Sequence, residues 1–151
     1  MPANLTLTGP QTQIADNIFG AVFDHSLDFR IELSYDVAIR FIERIGLYNE
    51  FAAATVLDAL TRVDRMIPRS AFGPGNPNNG SRDYRIEVGR EGSPVIYLKR
   101  FEWLTEQPMT EEQMKAVCLE MELCGRADEA TYTDRVFGQN GRVITFRFWW
   151  D

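Results

Sequence analysis

The second half of the chain has a periodicity that restricts its fold to a strand pair, a helix and a second strand pair. Residues 84–103 and 132–150 each contain two runs in which apolar side chains recur at every second position. This alternation is typical of strands with one buried face. Glycine-containing turns at 89–94 and 138–141 separate the runs, and the second turn ends in Asn-Gly, a strong hairpin signal. The pattern predicts two β-hairpins.

A capped helix at 111–124 is predicted between the hairpins. Thr110 and Gln113 form a capping-box pattern at its start, and Gly125 follows its last residue. Helical projection makes this helix amphipathic. The side expected to face the core carries Met114, Val117, Cys118, Met121 and Cys124. The opposite side carries Glu112, Lys115, Leu119 and Glu122.

The N-terminal part is predicted to be mainly helical. Apolar residues at helical spacing, capping residues and the position of Pro68 locate the elements. They are a helix at Thr12–His25, a strand at Phe29–Leu33, a helix from Ser34 or Asp36 to Gly46, and a helix from an Asn49 cap to Met66.

These elements predict a single α+β domain over residues 1–151. Its helical part covers about 11–67, a mobile loop rich in Gly, Pro and Asn covers 72–81, and the hairpin–helix–hairpin covers 82–151. We expect the N-terminal helices to pack on an antiparallel sheet of four to five strands.

The net charge of −6 is concentrated in residues 104–134. This segment contains eight acidic and two basic residues, whereas the rest of the chain has 14 of each. A local field of this kind can select a partner, while an evenly spread charge mainly keeps a protein in solution. If the arginines and lysines of both hairpins share one sheet face, the molecule has an acidic helix side and a basic sheet side.

Composition excludes several classes of function. A pI near 4.9 argues against direct binding of nucleic acid through its phosphates. No secretory signal or membrane span is recognisable, and Cys118 and Cys124, about 9 Å apart along one helix, cannot form a disulfide. Reduced cysteines without an export signal predict a cytoplasmic protein.

No residue pattern indicates catalysis or a cofactor. His25 is the single histidine and has Asp24 and Asp28 beside it, but this spacing matches no metal motif. The cysteines lie on the expected core side, where thiols are usually inert, and the glycines of 72–81 do not follow a phosphate-loop pattern. We predict no catalytic residue, no metal and no cofactor, which favours a non-enzyme.

Two surfaces are candidates for binding a partner. The first combines Leu119 with the flanking acids Glu112 and Glu122, together with Asp128 and Glu129 beyond the helix, because an apolar anchor with a charged rim is typical of protein interfaces. The second is Arg147 with Trp149 on the last strand. The alternatives are an ordinary exposed leucine and a tryptophan packed on a neighbouring strand.

The leading hypothesis is therefore a non-catalytic inhibitor that covers a basic surface of a protein partner, including nucleic-acid-handling complexes. Phage or plasmid anti-defence proteins (anti-CRISPR or anti-restriction) and immunity proteins are analogous in type and charge, and the analogy is not a sequence match. Two alternatives stay open. One is a small-ligand-binding protein or enzyme with a pocket between helices and sheet, using Tyr84, Tyr97, Trp103 and Glu87. The other is a homo-oligomeric structural subunit paired through its C-terminal strand.

Overall fold

The elements of this computed structural model are described for residues 9–23, 26–68, 84–103 and 108–151. Helices and strands alternate in the first part, and strands predominate in the second. The helices are α1 Gly9–Ile18, α2 Tyr35–Ile45, α3 Ala53–Met66 and α4 Glu111–Leu123, and a π-helical turn, Phe19–Phe23, extends α1. The strands are β1 Phe29–Leu33, β2 Leu47–Tyr48, β3 Phe51–Ala52, β4 Arg85–Glu91, β5 Ser93–Trp103, β6 Glu129–Phe137 and β7 Gly141–Trp149.

The main sheet has five antiparallel strands in the order β1-β4-β5-β7-β6. Hairpins β4–β5 and β6–β7 are joined by pairing of β5 with β7, where Leu98 lies opposite Phe146. The fifth strand, β1, comes from the N-terminal half and pairs with β4. The predicted α+β fold is confirmed.

One face of the sheet forms the hydrophobic core with the helices. On β7, Ile144, Phe146 and Phe148 are completely buried, while Arg147 and Trp149 point to the other face and are partly exposed. Trp150 is also fully buried: its ring lies against Phe51, and its indole N–H donates to the carbonyl of Gly125 at 2.8 Å. The alternation predicted for this strand, with one buried face, is confirmed.

The helices begin and end largely where the sequence indicates. The Ser34 hydroxyl caps α2 by accepting from the amide of Val37 at 3.4 Å, and Gly46 follows α2 with a φ of +67°. The Thr110–Gln113 capping box is present at α4, with both reciprocal hydrogen bonds made.

Two N-terminal boundaries differ from the prediction. The first helix changes to a π-helical turn at Phe19, and this turn brings Phe19 and Phe23 against Phe41. Asn49 does not cap α3. It lies in the tight turn between β2 and β3 with a φ of +49°, because asparagine tolerates the left-handed region, and Ala52 precedes the helix instead.

Both hairpin turns are tighter than the sequence indicates. Only Gly92, with a φ of +73°, separates β4 from β5, so most of the predicted turn 89–94 is paired strand. Residues 138–140 connect β6 to β7. There the left-handed residue is Gly138, whereas Gly141 of the predicted Asn-Gly pair belongs to β7. The hairpins are therefore confirmed and their turn chemistry is corrected.

The predicted mobile loop 72–81 and His25 lie outside the described residues, as does Asp24. In the described ranges, no helix combines the length and apolar character that a membrane crossing requires.

Candidate protein-interaction site

The acidic helix α4 is held on the sheet by one apolar side. Met114, Val117 and Met121 are buried in the core, and Cys118 is 8% exposed. The helix packs on β6 and β7 and beside α3. This attachment leaves the opposite side of α4 in contact with solvent, as the periodicity predicts.

The solvent side of α4 combines exposed leucines with unpaired carboxylates. Leu119 is 52% exposed and Leu123 is 69% exposed. Within the described part of the chain, Glu112 and Glu122 form no ion pair or side-chain hydrogen bond and are exposed, whereas Glu111 pairs with Lys115 at 3.3 Å. Because their charge is not neutralised locally, Glu112 and Glu122 can interact with a basic partner.

A groove runs between α4 and strand β6. Its volume is about 390 Å³. The lining residues are Lys115, Cys118, Leu119 and Glu122 from α4 and Ala130, Thr131 and Tyr132 from β6. Leu119 therefore belongs to a concave surface with Glu122 beside it, and Glu112 lies two helical turns before Leu119 on the same side of α4. The groove wall therefore contains Leu119 and Glu122, whereas Glu112 shares their side of α4 but is not part of the groove lining.

The cysteine in the groove is not prepared for nucleophilic chemistry. Burial, with a smaller contribution from Glu122, raises the pKa of the Cys118 thiol to about 11. A hydrogen bond with Glu120 also raises the pKa of the Cys124 thiol. Both cysteines are free thiols, as predicted. Because the thiolate is the nucleophilic form, Cys118 remains a weakly polar part of the groove wall at neutral pH.

Asp128 and Glu129, grouped with the acidic helix by sequence, are directed elsewhere. Asp128 accepts a hydrogen bond from the backbone N–H of Asp151 at 2.8 Å. Glu129 begins β6 on the sheet face opposite α4, where its carboxylate pairs with Arg147 at 2.8 Å. Strand alternation separates Glu129 from its neighbour Ala130, which lines the groove.

The second predicted surface, Arg147 with Trp149, is part of a polar network on this outer sheet face. Arg147 bridges Glu91 at 3.0 Å and Glu129, and the indole N–H of Trp149 donates to the Glu91 carbonyl at 2.9 Å. The hydroxyl of Tyr97 donates to the Glu91 carboxylate. These contacts favour the alternative interpretation, in which Trp149 packs on neighbouring strands.

The network shifts the pKa values of Glu91 and Tyr97. Burial raises the pKa of Glu91, but hydrogen bonds from Tyr97 and Arg147 outweigh it, so the net pKa is below its ordinary value. Burial and the bond to Glu91 raise the pKa of the Tyr97 hydroxyl. Since the carboxylates and cations neutralise each other here, this face presents little free charge.

The residues proposed for a small-ligand pocket do not converge between the helices and the sheet. Tyr97 and Glu87 lie on the outer sheet face, where Glu87 pairs with Arg30 and Lys99, both at 2.8 Å. Tyr84 lies with the core residues, and its hydroxyl donates to Asp64 at 2.6 Å. The side chain of Trp103 is outside the described residues.

Sequence reasoning missed the strand side of the groove. Ala130 and Tyr132 form this wall because β6 is the last strand of the sheet and α4 crosses it. No local sequence signal specifies strand order, and the strand predicted from the sequence begins at Tyr132, whereas β6 begins at Glu129 and so includes Ala130.

Across the described residues, no cluster of three or more His, Cys, Asp or Glu side chains has the proximity needed to hold a metal ion.

Comparison with known proteins leaves the groove as the main functional clue. No family model, curated protein or solved structure matches this chain. Any function assigned to it rests on the geometry and charge described above.

Proposed function

We propose that this protein is a non-catalytic interaction module that binds a basic protein surface through the solvent side of α4. The observation that carries this proposal is the groove beside Leu119, with the unpaired carboxylates Glu112 and Glu122 on the same side of α4. An apolar anchor that excludes water, surrounded by charges that steer association, is the usual composition of a protein interface.

The charge of this side selects the class of partner. Glu112 and Glu122 attract lysine and arginine, and an acidic molecule of this size can cover a basic groove that otherwise holds nucleic acid. We therefore propose an inhibitory role toward a nucleic-acid-handling protein or complex, of the kind that anti-defence and immunity proteins perform. Binding of this kind weakens as salt screens the charges.

A charge-reversal experiment tests the proposal. The native host lysate is passed over the immobilised protein at low and at moderate salt, and retained proteins are quantified by mass spectrometry. We expect one stoichiometric basic partner that is lost at the higher salt concentration and whose affinity falls by about tenfold or more in the Glu112→Lys/Glu122→Lys variant. The thermal midpoint should change little, because exposed substitutions alter stability by only about 0.5 kcal/mol each.

The matched control reverses two carboxylates away from α4. Glu43 lies on α2 and Glu50 in the turn between β2 and β3, so the Glu43→Lys/Glu50→Lys variant changes the net charge equally. This variant should retain the partner. Equal capture by wild-type protein and the α4 variant, or equal loss in both variants, would refute a specific role for the acidic side of α4.

A further inference from the structure

The two edges of the sheet differ in how they are protected against a further strand. Edge strand β1 is five residues long and places the charged Arg30 and Glu32 at its centre. Edge strand β6 is nine residues long and also carries charges, Glu129, Asp134 and Arg135, but these flank a central uncharged stretch, Ala130–Thr133. Charged, short edges discourage added strands, whereas a longer uncharged stretch permits them.

The hydrogen-bonding groups of β6 that face outward can be deduced from β7. The amide of Trp150 donates to the Pro94 carbonyl at 3.1 Å, and the carbonyl of Trp149 accepts from Asp128 at 2.9 Å. In antiparallel pairing, alternate residues face alternate neighbours, so the odd-numbered residues of β7 bond to β6. Thr131 and Thr133 lie opposite Arg147 and Thr145 and are therefore bonded to β7.

It follows that the N–H and C=O groups of Ala130, Tyr132 and Asp134 point away from the sheet. Side chains of Ala130 and Tyr132 also line the groove under α4. A strand added about 4.8 Å beyond β6 would bond to these free groups and run along the groove. Every second side chain of that strand would face α4 near Leu119 and Glu122.

We propose that the basic partner binds by adding an extended segment to the edge of β6. The proposal rests on the function proposed above and specifies how that site recognises its partner. An apolar residue of the segment fills the groove beside Leu119, and lysine or arginine two positions before and after it, on the same side of the strand, approaches Glu122 and Glu112. A second copy of this chain is a poorer occupant, because it would bring two sets of these carboxylates together.

Hydrogen exchange with a synthetic probe tests this arrangement. The probe is a peptide matched in length to β6, with a central valine, lysines two positions on either side and threonine elsewhere. In the free protein, the amides of Tyr132 and Asp134 should exchange rapidly, and those of Thr131 and Thr133 slowly. Peptide binding should slow exchange at Tyr132 and Asp134 and leave the threonine amides unchanged.

Two control peptides separate backbone pairing from charge. The first control peptide is N-methylated at every second residue, on the edge whose N–H groups would face β6. This change removes those hydrogen-bond donors without changing the charge of the peptide, and it should weaken binding by about tenfold or more. Replacing the lysines by glutamates should weaken binding to a similar extent, as should the Glu112→Lys/Glu122→Lys variant.

The outcomes distinguish the two proposals. Charge-dependent binding that leaves Tyr132 and Asp134 exchanging rapidly, or that tolerates N-methylation, overturns strand addition and leaves the acidic interaction site intact. Absence of peptide binding overturns strand addition, and the lysate capture then tests the acidic site separately. Equal binding of lysine and glutamate peptides overturns both proposals. In the protein without peptide, the amides of Tyr132 and Asp134 could exchange slowly, and more slowly at higher protein concentration. That result would identify a second copy as the occupant and overturn the basic-segment proposal.

Discussion

At the scale of single residues, the main departure from expectation is a buried ion pair. Arg100 and Glu102 are 1% and 2% exposed, although hairpin arginines were considered for a basic sheet surface. They occur in phase with Ile96 and Leu98 and therefore face the helices. The Glu102 carboxylate contacts the guanidinium at 2.7 Å and also accepts from the Met109 amide.

We predict that Arg100→Met destabilises the fold by about 3 kcal/mol or more, because it leaves Glu102 as a buried charge without its closest partner. The guanidinium also donates to the Pro68 carbonyl at 2.6 Å, which loses its donor. Urea unfolding measures the change. The matched control, Arg62→Met, removes the ion pairs of a half-exposed arginine with Asp58 and Glu120 and should cost less than about 1 kcal/mol. An equal loss of unfolding free energy in the two variants would contradict a stabilising role for the buried Arg100–Glu102 pair.

Glu91 should make the stability of the fold depend on pH in the acidic range. Its pKa is lowered in the native protein, so the ionised carboxylate stabilises the fold above its ordinary pKa of 4.5, and this stabilisation is lost as the pH falls through the lower native pKa. Wild-type protein should therefore lose more stability between neutral and strongly acidic pH than the Glu91→Gln variant does. Urea unfolding of both proteins across this range tests the prediction, and parallel pH profiles would exclude a role for Glu91.

At the scale of elements, hairpins and the capped helix α4 were predictable because their signals are local. Alternation, the Thr110–Gln113 pair and positive-φ glycines act over a few residues. Exact turns were less predictable, since Gly89 and Gly138 are both glycines in or near a predicted turn and only one of them has the left-handed conformation. Gly89 instead lies within β4, where its α-carbon closely approaches β1.

We expect Gly89→Ala to weaken the attachment of β1. A β-carbon at this position would overlap the backbone carbonyl of Phe29, and backbone cannot rotate away as a side chain can. The cost should be about 1–3 kcal/mol, accompanied by faster amide exchange in β1. The matched control is Gly20→Ala, since nothing lies near the added carbon there. Unchanged exchange in β1 would show that the strand can shift without cost.

At the scale of the whole molecule, the charges do not separate into an acidic helix side and a basic sheet side. Arg90, Arg100 and Arg142 lie on the helix-facing side of the sheet, while Lys99 and Arg147 lie on the outer face and are paired with carboxylates. Arg82 is outside the described residues. The hairpin cations are therefore divided between two faces, and the unpaired carboxylates of α4 are the clearest source of a directed field.

The order of the strands leaves no free edge on β7 for the homo-oligomer that was predicted to pair through the C-terminal strand. Strand β7 lies between β5 and β6, so both of its edges are already bonded. The outermost strands of the sheet are instead β1 and β6. The β6 edge lies beside the acidic helix α4 and the groove that these two elements form.

Most strands and helices, the apolar residues that face the core and the concentration of acidic charge follow from the sequence, but the short β2–β3 pair and the burial of Arg100 and Glu102 do not. The properties that follow from the sequence depend on periodicity and on capping within short stretches of chain. Tertiary structure alone decided the strand order, and with it the edge position of β6, the groove against Leu119 and the pairing of Glu129 with Arg147. Such relations join residues distant in sequence, and they are set by how the strands and helices pack to bury their apolar faces together.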